Sequence, residues 1–421
     1  MRRERSGPLL EAWRPFWTSR AAVWAAGLLG VLWLGKAPGS EQYDPAGITR
    51  PFSPFADLLL APAARWDAVW FLSIADDGYG DSGDKAKAAF YPLYPLLAKV
   101  VGFVTGSTVT GALLVSLAAF FGALLLLRRL ADIELGERDG RVTVLLVAFF
   151  PSAFFFSGIY SESLFLLLSV GALLAARRER WMWAAVAAAL ATLTRNSGAV
   201  LLVPLVLMYL YGPRGDGADD GPAAGRSRWR PRYAPGRELA WLLLVPAALA
   251  AYLGYIWIVL DDPFAPFSAQ ELWGRELVPL GAIWEGGRAA WLGLRQLVHG
   301  STMPVYFDEA GGDSFVNAGQ NLMLLGFLVF ALVATVGALR RLPIAYGAYA
   351  LVALVLTLSY PVSAQPLMSL LRFVLVLFPL QMWLARWVGR RGDGGSERAI
   401  AICAVLLGLL TAQFARWGFV A

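Results

Sequence analysis

The chain has 421 residues, 58% of them hydrophobic and 16% charged, with a mean hydropathy of +0.57, which excludes an ordinary soluble domain and indicates a polytopic membrane protein. The formal net charge of +6 comes from arginines in short clusters between apolar runs, as in cytoplasmic loops, so no nucleic-acid partner is implied. One cysteine, Cys403, cannot form an intramolecular disulfide, and one histidine, His299, excludes a His-rich zinc site, so any metal would have to be held by carboxylates.

Arg2, Arg3, Arg5, Arg14 and Arg20 precede the first apolar run, 21–37, and no small-residue cleavage signal follows it. It is expected to be an uncleaved span with its N-terminus in the cytoplasm. Residues 38–107 form a long, polar first extracytoplasmic loop. Its apolar pieces, 55–61, 69–74 and 93–104, fall short of the roughly 20 residues a span needs, and Pro92 and Pro95 interrupt the last. All three are expected as surface helices.

Further spans are expected near 108–127, 142–156, 163–176, 181–193, 198–211, 239–260, 320–339, 343–360, 373–385 and 399–415, giving about eleven with the first. If 93–104 stays on the surface, the cytoplasmic segments hold 24 of the 36 Lys and Arg, as the positive-inside rule asks. Making it a span would put most of those clusters outside. The Gly-, Pro- and Arg-rich stretch 212–238 reads as a flexible cytoplasmic linker that could also bind anionic lipid headgroups. A second large extracytoplasmic loop, 261–318, contains an amphipathic stretch, 283–298, expected to lie along the outer surface. His299 is assigned no role. No soluble domain is long enough to fold separately, so residues 1–421 are read as one all-α integral domain of the plasma (inner) membrane.

The unusual chemistry then falls on the extracytoplasmic side. The stretch 65–95 packs Arg65, Asp67, Asp76 and Asp77 among aromatic residues, and Glu162, Arg195, Arg275 and Arg372 lie at or between span ends. The expected span interiors carry no Asp, Glu, Lys, Arg or His. Proton- or ion-coupled transporters usually need such groups near the midplane, so their absence points to chemistry at the rim.

Several of these residues also carry a family likeness. Arg65-Trp66-Asp67-Ala68, with Phe71-Leu72, Ile74-Ala75, Gly78-Tyr79 and the run from Ala89 through Phe90, Tyr91, Pro92, Leu93 and Tyr94 to Pro95, resembles the first-loop signature of PIG-V-type mannosyltransferases, relatives of the enzyme that adds the second mannose of the GPI anchor. Further matches follow in order: Phe150-Pro151-Ser152-Ala153 through Tyr160-Ser161-Glu162-Ser163, then Thr194-Arg195-Asn196-Ser197-Gly198, then Asp262-Pro263 with Gln270 and Trp273-Gly274-Arg275, then Arg372-Phe373 ahead of Phe378-Pro379. The resemblance implies a glycosyltransferase of the GT-C type. Such an enzyme would take polyprenyl-phosphate mannose, or a related lipid-linked sugar, at the outer face of the bilayer; no cofactor is expected from the sequence, and a divalent cation is possible but not indicated. Asp76-Asp77 departs from eukaryotic relatives, which often show other polar pairs there. The arginine-rich, lysine-poor composition looks bacterial, where no GPI acceptor is expected, so the acceptor is a glycan, glycolipid or protein hydroxyl.

Displacing a lipid phosphate from a sugar C1 needs a carboxylate to take the acceptor proton and cations to hold the phosphate. Asp67 is the candidate base; its alternative is an ion pair with Arg65 that anchors the loop. Arg372 is the favoured phosphate ligand, since a guanidinium at an outer helix end can grip phosphate bidentately, and Arg195 and Arg275 follow by the same reasoning. An interfacial anchor is the alternative for Arg372. One of Asp76 and Asp77 could reach sugar hydroxyls or a divalent cation, or both could end a solvated helix. Glu162 is expected to cap the helix beginning near Ser163, with orientation of Arg195 or of a sugar hydroxyl as the other reading. Arg65, Trp66, Tyr91, Asn196, Gln270 and Trp273 complete the candidate substrate contacts, although Trp66, Trp70, Tyr79, Tyr91 and Tyr94 also fit an interfacial aromatic belt. A transporter or flippase with gating outer loops is the reading from another class, and an inactive membrane scaffold a third.

Overall fold

The computed structural model describes residues 8–37, 40–44, 46–49, 53–80, 85–215, 231–300 and 314–420. Arg2, Arg3, Arg5, most of the 212–238 linker and part of the 261–318 loop therefore lie outside the described residues. Among the described residues the regular elements are helices, with an isolated antiparallel bridge between Arg275 and Val362. The expected all-α architecture holds.

In chain order the α-helices are α1 (Pro8–Leu34), α2 (Pro54–Leu60), α3 (Ala68–Asp77), α4 (Leu93–Thr105), α5 (Thr108–Leu135) and α6 (Glu137–Ala148). Next come α7 (Glu162–Arg177), α8 (Trp181–Thr194), α9 (Leu202–Tyr211), α10 (Leu244–Leu260), α11 (Ala265–Ser268) and α12 (Gly281–His299). The last are α13 (Ser314–Arg341), α14 (Ile344–Leu358), α15 (Leu370–Val376), α16 (Phe378–Gly389) and α17 (Asp393–Ala415). Four helical stretches are long and apolar enough to cross a membrane: Thr108–Leu135, Arg237–Leu260, Ser314–Arg341 and Gly394–Ala415; α15 and α16, bent by 72°, make a fifth if taken as one span. The first expected span lies in α1, a continuous helix of 27 residues that is not among those four; the remaining expected spans form shorter helices or helices with breaks, such as α8 with 14 residues and α14 with 15, each about 21–23 Å long at 1.5 Å per residue.

The breaks follow proline chemistry. The expected span 142–156 stops at Ala148 because Pro151 cannot continue the ladder, and the chain turns into a 3-10 segment, Ala153–Phe156. Arg20 serves the carbonyls freed there: it donates to Ala148 O (3.3 Å) and Ala153 O (2.9 Å), and also to the Ser157 hydroxyl. Arg20 was expected in the flank before the first span. Instead α1 begins at Pro8, so Arg20 sits inside the helix and is buried. A second break, at Leu377 before Pro379, separates α15 from α16; the Val374 carbonyl there accepts from Leu377 N (3.2 Å) and from the Gln381 side chain (3.4 Å).

The three short apolar pieces of the first loop form α2, α3 and α4, as expected. The 13 residues of α4 reach only about 20 Å. It folds back on α5 because Gly102 and Gly111 let the two backbones touch: a Cβ on Gly111 would lie 2.3 Å from Gly102 N. Glycine is required by that approach.

Charged side chains gather at the two ends of the bundle. At one end Glu11 pairs with Arg128, Arg177 with Glu134, and Tyr346 donates to Glu134, joining the N-terminal turns of α1 and α14 to the C-terminal turns of α5 and α7. At the other, the start of α7 meets the first turn of α15 and the end of α1 meets the end of α17, where Arg416 Nε donates to Gly35 O at 2.6 Å. From Glu162 to Arg177 along α7 the separation is about 22 Å. Two ionic layers bracketing an apolar slab of that depth are what a bilayer-embedded bundle requires.

Candidate active site

At the first-loop end, Trp66 takes a left-handed backbone (φ 56°) that is costly for a bulky residue and turns the chain sharply into α3. Asp67 occupies the N-cap position of that helix, yet its side chain makes no capping bond. It is held by its backbone instead: the Tyr160 hydroxyl accepts from Asp67 N (3.1 Å) and donates to Arg65 O (2.9 Å). The carboxylate is thereby free to face the protein's other half.

There it meets Arg372, in the first turn of α15, just after Ser369, which is also left-handed (φ 67°). Arg372 Nη1 contacts Asp67 Oδ2 at 2.5 Å and its Nε donates to Glu162 Oε1 at 2.7 Å. Its guanidinium lies 4.8 Å from the Tyr160 ring centre and 5.3 Å from that of Phe155. Ser152 donates to Leu371 O at 3.0 Å, so the Pro151 break docks directly on the helix that carries this arginine.

Glu162 is fully buried and its Oε1 is shared with Arg195, 2.7 Å away. The expected helix-capping role is therefore replaced by a double ion pair, because two guanidiniums outcompete backbone amides for a buried carboxylate. Arg195 itself stands at the C-terminus of α8 in an extended conformation. Gly198 lets the following turn fold back, since a Cβ there would lie 2.3 Å from Thr192 N.

Arg275 completes the group. Phe373 lies between it and Arg195, at 5.9 Å and 5.4 Å from the two guanidiniums. Gly274 (φ 62°) makes the turn, and its carbonyl accepts from Ser363 N at 2.9 Å. Burial, then the neighbouring Arg372 cation, push the Arg275 pKa down to about 10, which leaves it charged at neutral pH. Among the described residues Arg275 has neither an ion pair nor a side-chain hydrogen bond. Two carboxylates and three guanidiniums leave the cluster with one surplus positive charge.

Other candidates are distributed around this cluster. Trp273, two residues before Arg275, forms an aromatic edge with Trp70 (6.1 Å) and Phe90 (5.9 Å). Asn196 is exposed beside Arg195, and Gln270 is half-buried with its carbonyl accepting from Arg275 N. Arg65 is not brought to the cluster: it is fully buried, donates to Ala415 O (3.0 Å), and pairs with Asp57 (3.3 Å) rather than with Asp67. Trp66 packs on Tyr43 and Phe419, and Tyr91 is buried against Tyr252. Tyr79, Tyr91 and Tyr94 are all buried, which removes them from an interfacial belt.

Asp76 and Asp77 are exposed, nine and ten positions along α3 from Asp67, about 15 Å away and on other faces. Asp76 accepts from the Thr108 hydroxyl at 2.6 Å. Among the described residues no three His, Cys, Asp or Glu side chains gather in a metal-binding group. Tyr160 and Phe373 were quoted in the sequence motifs without a role. A tyrosine opening the polar run Tyr160-Ser161-Glu162-Ser163 is the available signal, but its partners lie more than 90 residues away.

The fold and the cluster together define an all-helical membrane protein with a buried carboxylate–guanidinium network at one end of its bundle. Residues 52–210 match the family model for Mannosyltransferase (PIG-V), so the family resemblance carried by Arg65-Trp66-Asp67 and by the motifs up to Gly198 is borne out. No curated protein matches the chain. The chain is similar to crystal structures of the Archaeoglobus fulgidus oligosaccharyltransferase, one tethered by a disulfide bond to an acceptor peptide containing the NVT sequon and one in the apo form, each at 13% identity and a TM-score of 0.43. These alignments cover 95% and 96% of this chain and 55% and 56% of those, so it spans little more than half their length.

Proposed function

We propose that the cluster transfers a mannosyl or related hexosyl residue from a polyprenyl-phosphate sugar to an acceptor hydroxyl, with inversion at C1 and Asp67 as general base. The observation that carries the reading is the half-exposed Asp67 carboxylate set among three guanidiniums. Its Oδ2 is held by Arg372, while among the described residues Oδ1 accepts no hydrogen bond and is left to face a substrate. The acceptor oxygen attacks C1 and its proton passes to Oδ1. The bond from C1 to the phosphate oxygen breaks, and the electron pair leaves with polyprenyl phosphate.

The surplus positive charge matches the single negative charge of a phosphodiester donor. Arg372 and Arg195 are already engaged by carboxylates, so Arg275 makes the principal phosphate contact, and the other two fix its field. The Trp70–Phe90–Trp273 edge offers a ring face to a sugar. No cofactor is invoked. The arginine-rich helix ends lie at the opposite end of the bundle, which supports an extracytoplasmic active site, a cytoplasmic N-terminus and the plasma membrane as location.

The test uses membranes containing the protein, polyprenyl-phosphate mannose labelled in the sugar, and glycan, glycolipid and peptide acceptors. Labelled product, lost in Asp67→Asn, is expected. Near-wild-type transfer by folded Asp67→Asn removes the base assignment, and movement of labelled lipid without sugar transfer makes the protein a transporter.

A further inference from the structure

A second feature lies at the other end of the bundle. Asn321, near the start of α13, bonds to Gln365 beside the catalytic end; Arg341 ends the same helix 20 residues later, about 30 Å away. There α13, α16 and α17 converge on two adjoining clefts. One, of about 210 Å³, is lined by Arg341, Arg386, Trp387, Arg390 and Arg391. The other, of about 450 Å³, shares Trp387 and Arg391 and adds Arg398, the glycines that open α17, and Ile402.

Five arginines thus line the two adjoining clefts, with Arg391 common to both. Arg386 donates to Arg341 O at 3.0 Å, and Arg391 stacks 3.6 Å from the centre of the Trp387 ring. Among the described residues none of the five is ion-paired, and neither Asp139, which approaches Gly389, nor Glu397 lines the clefts. Gly394 and Gly395, in the N-terminal turn of a long helix, keep their wall of the cleft narrow and without side chains. A solvated group of loop arginines would not need three helices to wall it in.

One wall is apolar. Ile402, Val405 and Leu409 are each more than 60% exposed and form a row running from the cleft along α17. An inorganic anion has no use for such a wall, whereas a phospholipid would lay an acyl chain on it with its phosphate among the guanidiniums.

We propose that this cleft is a binding site for an anionic phospholipid. Its headgroup phosphate would sit among Arg386, Arg390, Arg391 and Arg398, with the Arg391 guanidinium held in place on the Trp387 ring.

The test is native mass spectrometry of the full chain in detergent, titrated with phosphatidylglycerol or phosphatidylcholine, with and without millimolar inorganic phosphate. Wild type should retain phosphatidylglycerol in preference to phosphatidylcholine, and phosphate should not displace it. Arg390→Gln with Arg391→Gln should weaken binding about tenfold or more, whereas Arg178→Gln with Arg180→Gln, at another arginine-rich helix end, should leave it unchanged. Should the first pair fail to fold, Arg391→Gln alone is expected to weaken binding about fivefold. Equal binding of the two lipids, equal losses in the two double variants, or displacement by inorganic phosphate would overturn the proposal.

Discussion

Asp67 and Arg372 lie 305 positions apart in the chain, and their side chains meet in a 2.5 Å ion pair. Each stands close behind a residue in the left-handed region, Trp66 and Ser369 respectively. The contact depends on two strained turns that the rest of the fold must hold in place.

Removing the charge of Asp67 while keeping its shape separates chemistry from architecture. Asp67→Asn should lower kcat by about 10²–10⁴, the usual contribution of a positioned general base. The carboxylate is partly exposed, so Tm measured in detergent should fall only slightly.

Glu162 is the structural counterpart. Its carboxylate is wholly buried between two guanidiniums, and breaking such a network costs about 3–5 kcal/mol. Glu162→Gln should therefore lower Tm strongly or prevent accumulation of folded protein. An unchanged melting curve would show that the two arginines do not depend on it.

The three arginines should divide by kinetic signature. Arg275→Ala should raise the donor KM about 10- to 100-fold with little loss of Tm, as expected when a charge-assisted phosphate contact is removed. Arg372→Ala should lower both kcat and Tm, because it releases Asp67 and leaves Glu162 with one partner. Steady-state kinetics beside thermal unfolding of both variants distinguishes the roles, and identical profiles would refute the division.

Tyr160→Phe removes one hydroxyl and two bonds, from Asp67 N and to Arg65 O. The stability loss should be about 1–2 kcal/mol. A looser Asp67 should lower kcat about tenfold or more with the donor KM nearly constant. Unchanged kcat in the folded variant would mean that Trp66 and α3 alone place the acid.

What the sequence disclosed divides along the range of the interactions concerned. Hydropathy and proline spacing are local, so α5, α13 and α17 and the shortness of α4 were readable, and Pro151 and Pro379 mark the two breaks. The positions of Asp67, Arg195, Arg275 and Arg372 at one end followed from counting spans. Pairing was not readable: Arg65 was as plausible a partner for Asp67 as any, until the fold brought Asp57 to it. Glu162 resembled a helix cap because its neighbours in sequence are serines, whereas its neighbours in space are Arg195 and Arg372. The inward turn of Arg20 depended on carbonyls more than 125 positions away.

The unequal count of guanidiniums and carboxylates bears on turnover. A phosphodiester arrives with one negative charge, but in the proposed reaction the departing carrier is a monoester with nearly two, and Asp67, having gained a proton, no longer offsets Arg372. The pocket then grips spent carrier harder than fresh carrier, so emptying the site should be slow until that proton escapes to water. Competitive inhibition by added polyprenyl phosphate, with Ki below the donor KM, is the expected mark; Ki above KM would remove the imbalance as a brake.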